Sequence, residues 1–204
     1  MTTIAIFGGT GYAGGHIARE AQARGHEVTI VSRSAETPGA ITGSFADEAF
    51  VKQLAADHDH IVVATQPDGL LEALPTLVGA ARDGGARLSF VGGAGSTLVA
   101  EGGPQLVETP DFPEEYKGVA LQHGAVLEAL RSDDNGADWF YVSPAAVFGA
   151  WAEGTATGSY RTSDDVLLVD AAGESKIGGA DYAKAYVDEI ENRAHVNKRF
   201  HVAY

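Results

Sequence analysis

The chain has 204 residues, 45% hydrophobic and 21% charged, with 26 glycines and no cysteine. A chain of this length can bury about 70% of its unfolded surface in one sizeable core, which excludes disordered, collagen-like and coiled-coil classes, and the missing cysteines exclude disulfides, thiolate nucleophiles and sulfur-ligated zinc. A net charge of −14 opposes nucleic-acid phosphates and anionic lipid, so neither nucleic acid nor a membrane is an expected partner, and any anionic ligand needs a local positive site built by the backbone.

Met1 to Phe7 runs straight into glycines, with no basic segment and no apolar stretch near the ~18 residues that span a bilayer, so a cytoplasmic location is expected. Apolar runs then alternate with helix-length amphipathic stretches, the pattern of a parallel sheet with crossover helices. Strands are expected at Thr3 to Phe7, Glu27 to Val31, Ala40 to Thr42, Ile61 to Ala64, Arg87 to Val91 and Asp138 to Val142. Helices are expected at Tyr12 to Arg24, Asp47 to Ala56, Gly69 to Arg82 and Glu114 to Arg131, the first stopped by Gly25 and the third by Gly84 and Gly85. Gly92 to Pro113 has no sustained period, and a loop of that length in a compact domain is usually functional. Asp133 to Gly136 reads as a solvated helix-to-strand turn. Ser159 to Arg161, Val166 to Val169 and Ser175 to Ile177 read as short strands, followed by a helix at Asp181 to Asn192 and a strand at Arg199 to Ala203. The fold class predicted is a single α/β domain over residues 1–204, a Rossmann-like doubly wound parallel sheet in which residues 145–180 contribute the substrate side.

Gly8-Gly9-Thr10-Gly11-Tyr12-Ala13-Gly14 places Gly-x-x-Gly-x-x-Gly directly after a buried strand and at the mouth of a helix. Glycines let the backbone turn tightly and approach a pyrophosphate, while the helix start offers unpaired N–H donors and a positive dipole end. A fold that prefers NAD places an acid on the adenosine ribose about 20 residues further on. Here the second strand ends Ser32-Arg33-Ser34, which offers a guanidinium fork and hydroxyls to a 2′-phosphate. The expected cofactor is therefore NADP(H) ahead of NAD(H).

These motifs, with Phe90 to Ser96, Asp111 to Lys117, Asp138 to Pro144 and the closing Arg199 to Tyr204, resemble the atypical short-chain dehydrogenase/reductases of the NADH-flavin reductase type, relatives of the NmrA-like and biliverdin reductase B groups. The resemblance implies that Gly8, Thr10, Gly11, Tyr12, Ala13 and Gly14 line the pyrophosphate. It also implies that Ser44 and Phe45 approach the adenine, that Ala64, Thr65 and Gln66 flank the nicotinamide ribose, and that Ser143, Pro144 and Ala145 meet the carboxamide. One departure matters. Core members of that superfamily carry Tyr-x-x-x-Lys on one helix face, so that Lys lowers the Tyr pKa for proton transfer. Here Tyr116 is followed directly by Lys117, and the position four residues on is Ala120.

Three side chains are candidates for the reactive end: Ser96, which follows the fifth strand, and Tyr116 and His123, about two helical turns apart. Phe112, Tyr116, Phe148 and Trp151 are loop or helix-start aromatics able to cover a flat acceptor. No metal site is expected: His58-Asp59-His60 lacks a third ligand at plausible spacing. A hydrolase is disfavoured because Gly93-Ala94-Gly95-Ser96-Thr97 does not form Gly-x-Ser-x-Gly. The reading is an NADPH-dependent reductase of a planar small molecule such as free flavin or quinone. The alternatives are an NmrA-like redox sensor that binds NADP(H) without turnover, and a nucleotide-sugar epimerase or reductase. Oligomeric state is open.

Overall fold

Strand β1 (Thr3–Phe7) is buried on both sides, and its alternating side chains feed two separate cores. Ala5 and Phe7 face one layer, Ile4 and Ile6 the other. The computed structural model describes residues 1–34, 38–132 and 136–204, so the turn expected at Asp133 to Gly136 lies, apart from Gly136, outside the described residues. Around β1 the sheet runs β3-β2-β1-β4-β5-β6-β8-β7, where β2 is Glu27–Ser32, β3 Ala40–Thr42, β4 His60–Val63, β5 Arg87–Val91, β6 Trp139–Ser143, β7 Arg161–Ser163 and β8 Lys198–Ala203. Every pairing is parallel except that of β7, which lies antiparallel to β8 at the edge.

Helices α2 (Glu48–Asp57), α3 (Leu70–Gly84) and α4 (Glu114–Ser132) cover the face that receives Phe7, Val63, Phe90 and Tyr141. Helices α1 (Tyr12–Ala23) and α5 (Gly179–Asn192) cover the other, against Ile6, Val62, Phe140 and Phe200. Sheets wrapped by helices on both faces have continuous apolar strands, which is why His60–Val63 is wholly buried. Local chemistry sets the ends. Asp47 accepts from the Phe50 N–H to open α2, and Gly85, at φ 79°, closes α3.

The region after residue 145 corrects the expectation of three short strands. One strand forms, shifted to Arg161–Ser163, whereas Val166 and Lys176 make single bridges to Leu98 and Val147. Each partner lies on a distant loop, so no ladder propagates and no local periodicity marks the contact. The 92–113 segment is tied down along its length, and its first residue, Gly92, lines the cleft described below. Its backbone is stitched internally by Leu106 N–H to Thr97 O and Val107 N–H to Gly95 O, and outward by Leu98 N–H to Asp165 O.

Candidate active site

The chain turns back at β1: β2 and β3 lie on one side of it and β4 onward on the other. Open α/β sheets bind ligands in the crevice at such a switch point, beyond the carboxyl ends of the strands. A cleft of about 750 Å³ lies there. It is lined from Ser44 and Phe45 after β3, past Arg33 after β2 and Gly8 after β1, across Ala64, Thr65 and Gln66 after β4 and Gly92 after β5, to Phe148, Gly149 and Trp151 after β6. Four interstrand steps of about 4.8 Å separate β2 from β6, so the two ends stand roughly 19 Å apart.

The loop glycines divide their work. Gly8 has φ 77°, and a Cβ there would stand 2.2 Å from the Ala64 carbonyl oxygen, so β1 and β4 can approach only with glycine. A Cβ on Gly14 would strike the Gly8 carbonyl oxygen at 2.3 Å, which makes Gly14 the point where α1 packs on the turn. Gly14 does not line the cleft; Gly8, Thr10, Gly11, Tyr12 and Ala13 do. Gly11 is the residue preceding α1, and no side chain caps the helix start, which has no acidic residue in its first turn. The first N–H groups of any helix lack intrahelical partners, and the residues at this helix start, Gly11, Tyr12 and Ala13, line the cleft, an arrangement able to receive an anion.

At the β2 end, Arg33 is exposed and its guanidinium forms no hydrogen bond or ion pair among the described residues. Ser32 and Ser34 line the same end, the Ser34 N–H donating to Ser32 Oγ at 3.1 Å. At the β6 end the walls are aromatic. Phe148 packs edge-on to Tyr12 with ring centroids 5.3 Å apart and lies 4.5 Å from Tyr182, while Trp151 is 71% exposed. Burial, and then the Glu153 carboxylate, push the Tyr12 phenol up to about 12.

The predicted reactive-end residues separate. His123 lines the cleft from α4, its ring against Gly93, and burial pushes it down to about 4, so it is neutral at neutral pH. Its buried Nδ1 and the Thr65 Oγ1 have no hydrogen-bond partner among the described residues. Tyr116 does not join it: about two turns nearer the helix start, it is 55% exposed and outside the cleft lining. Ser96 is also outside, behind the wall, where Arg199 Nη1 reaches its Oγ at 3.4 Å. Ser143 is buried and accepts from Arg199 at 3.2 Å, and neither it nor Pro144 nor Ala145 lines the cleft. His58 and His60 are taken up internally, His58 by Leu54 O and Thr29, His60 by Ser89 at 2.8 Å.

The profile of an NAD(P)H-binding family matches residues 8–193 of the chain. The chain belongs to this NAD(P)H-binding family. It is similar to an uncharacterised Bacillus subtilis (strain 168) protein, YwnB, at 38% identity over 209 residues, which cover 98% of this chain and 97% of that one. Among solved structures, a candidate exported protein of Burkholderia pseudomallei gives a TM-score of 0.90 at 38% identity over the whole of both chains. A candidate NADH-flavin reductase of Streptococcus pneumoniae gives 0.87 at 31% identity, over 100% of this chain and 99% of that one. No helix among the described residues is long and apolar enough to cross a membrane.

In this NAD(P)H-binding protein the cleft also contains residues that motif reading passes over. Gly43, Asp68, Val91, Gly92 and Gly149 line it. Each lies just past, or at, the carboxyl end of a strand, and that position is the signal that would have found them.

Proposed function

We propose that the protein is an NADPH-dependent reductase of a planar small-molecule acceptor, such as a free flavin or a quinone. The observation that carries this reading is the polarity of the cleft: an uncommitted guanidinium at the β2 end, glycine backbone and a helix start in the middle, and aromatic rings at the β6 end. Arg33 with Ser32 and Ser34 would hold a 2′-phosphate, and the backbone around Gly11 would hold a pyrophosphate. A bound reduced nicotinamide supplies a hydride, and the acceptor takes up that hydride together with one proton. The chain's own part is to hold the flat acceptor between Phe148 and Trp151 and to keep water from the contact. A flavin spreads the negative charge left by hydride over a conjugated ring, so the missing Tyr-x-x-x-Lys pair is no handicap to this chemistry.

The similarity to a candidate NADH-flavin reductase supports the acceptor class, and Arg33 supports the choice of phosphorylated cofactor. The test is loss of reduced-nicotinamide absorbance with flavins, quinones and small aldehydes as acceptors, alongside calorimetric titration of NADP⁺ and NAD⁺. Turnover with flavin or quinone and tighter NADP⁺ binding are expected. Nucleotide binding without turnover on any acceptor would leave a redox sensor as the reading.

A further inference from the structure

The cleft sorts charge along its length. Of the 14 Lys and Arg side chains, Arg33 is the one that lines it among the described residues, and residues 35–37 and 133–135 contain no Lys or Arg. Arg33 stands after β2, at the end opposite Phe148 and Trp151. The acceptor end is built from Gly92, His123, Phe148, Gly149 and Trp151, none of which carries a positive charge at neutral pH. The nearby basic group of β8, Arg199, is turned away, its guanidinium buried against Ser143 and paired with Asp165.

Negative charge, by contrast, approaches the acceptor end. Glu153 reaches His16 at 3.3 Å on the flank of Tyr12, and its side chain is 44% exposed. Asp68 lines the cleft midway, after β4. Both sit in a chain of net charge −14. An anionic tail on the acceptor would meet no cation there and would be repelled at low salt, since charges in water act over about 10 Å at 0.1 M ionic strength.

Resting on the reductase reading above, we infer that the acceptor is an uncharged planar ring system, a flavin without phosphate or a quinone, and that phosphorylated flavins and carboxylate-bearing tetrapyrroles are disfavoured. The same asymmetry would set the direction of the dinucleotide, with its phosphate-rich end toward Arg33 and its reactive ring toward the uncharged wall.

Riboflavin and FMN share one reactive ring and differ by a phosphate, which makes them the discriminating pair. At low ionic strength kcat/KM for riboflavin should exceed that for FMN at least tenfold, and the ratio should shrink as salt is added. Equal or better use of FMN at low salt overturns the inference while leaving the reductase reading intact. Absence of turnover with every acceptor removes the reductase reading instead, and binding then decides. Riboflavin should quench on protein saturated with NADP⁺ at concentrations where FMN does not; equal binding, or binding of neither, overturns the inference. Trp151→Arg, compared with Trp151→Ala to allow for the lost ring, should move the balance toward FMN, and an unchanged balance argues against an acceptor at the β6 end.

Discussion

A Cβ on Gly14 would stand 2.3 Å from the carbonyl oxygen of Gly8, whereas one on Gly11 would meet that same oxygen at 3.3 Å. Two glycines of one motif therefore answer to different demands. Gly11 has φ −78° and ψ 179°, an extended conformation open to any residue. Gly11→Val is expected to fold with a modest loss of thermal stability, far smaller than that of Gly14→Val, yet lose NADP⁺ binding, because its side chain would stand where the backbone must meet phosphate. Gly14→Val should fail to fold stably. Thermal melts paired with calorimetric titration distinguish the two, and unchanged affinity in a folded Gly11→Val protein would make the loop purely architectural.

Arg33 makes the cofactor preference measurable. Arg33→Asp should weaken NADPH by about 1–3 kcal/mol, the range for hydrogen bonds to charged groups, and NADH much less. Equal losses for both nucleotides in calorimetry would remove the 2′-phosphate from Arg33.

The separation of Ser96, Tyr116 and His123 predicts unequal mutants. Ser96→Ala and Tyr116→Phe should leave flavin turnover within about tenfold of the parent, well short of the ~10²–10⁴-fold loss of a general acid. His123→Ala, the change inside the cleft, should act chiefly on the KM for the acceptor. A thousandfold fall in kcat for Tyr116→Phe at unchanged NADPH affinity would instead favour a carbonyl or sugar substrate.

Stability rests partly on ions held out of water. Arg87 Nη2 donates to Glu189 Oε1 at 2.8 Å, with both side chains under 10% exposed, and the Arg87 guanidinium also lies 4.5 Å from the Phe140 ring centre. Removing one partner strands the other charge in the interior, so Glu189→Ala should cost about 3–5 kcal/mol in denaturant unfolding. A loss below 1 kcal/mol would show that Asp138 and the carbonyls of Glu189 and His195 suffice for Arg87.

Buried imidazoles set the acid limit. Burial pushes His60 down to about 3 and His123 and His201 to about 4. Between an unfolded value near 6.5 and those lowered values, the unfolded chain binds protons that the folded one refuses, so stability falls as pH falls through that window. Asp165, Asp181 and Asp188, whose carboxyls are held below the usual range by Arg131 and Arg199, by Thr157 and Tyr204, and by Tyr160 and Lys184 against the opposing effect of burial, add loss of the same sign at still lower pH. Urea unfolding from pH 7.5 to 4 should therefore give a steadily falling midpoint, and a flat profile would contradict the neutral buried state of these histidines.

The sheet was legible because its signals are local. The run Ile4 to Phe7, the Gly25 and Gly85 stops and the Asp47 cap each state their element within a few residues, and ends shifted by only a residue or two. Residues 145–180 were not legible, since Leu98 to Val166 and Val147 to Lys176 are single contacts across long stretches of chain. Ser32, Arg33, Ser34, Ser44 and Phe45, singled out by the motif and the resemblance, all line one end of the cleft. His123 and Tyr116 looked equivalent at seven residues' spacing, and only the packing of α4 against Gly93 and Gly95 separates them.

The loop that carries Phe148 and Trp151 is fastened at both feet. Val147 donates to Ser175 O and accepts from Ile177, while Asp181 accepts from the Thr157 and Gly158 N–H groups at 2.7 and 2.8 Å. Residues 148–156 thus run between two fixed endpoints, and between them Phe148 packs on Tyr12 and Tyr182 while Glu153 reaches His16, so a change in this stretch is passed to the start of α1 and to α5. Trp151, 71% exposed, is the large side chain of that stretch that can be exchanged at least cost to the fold, whereas Phe148 answers to the core as well as to the cleft.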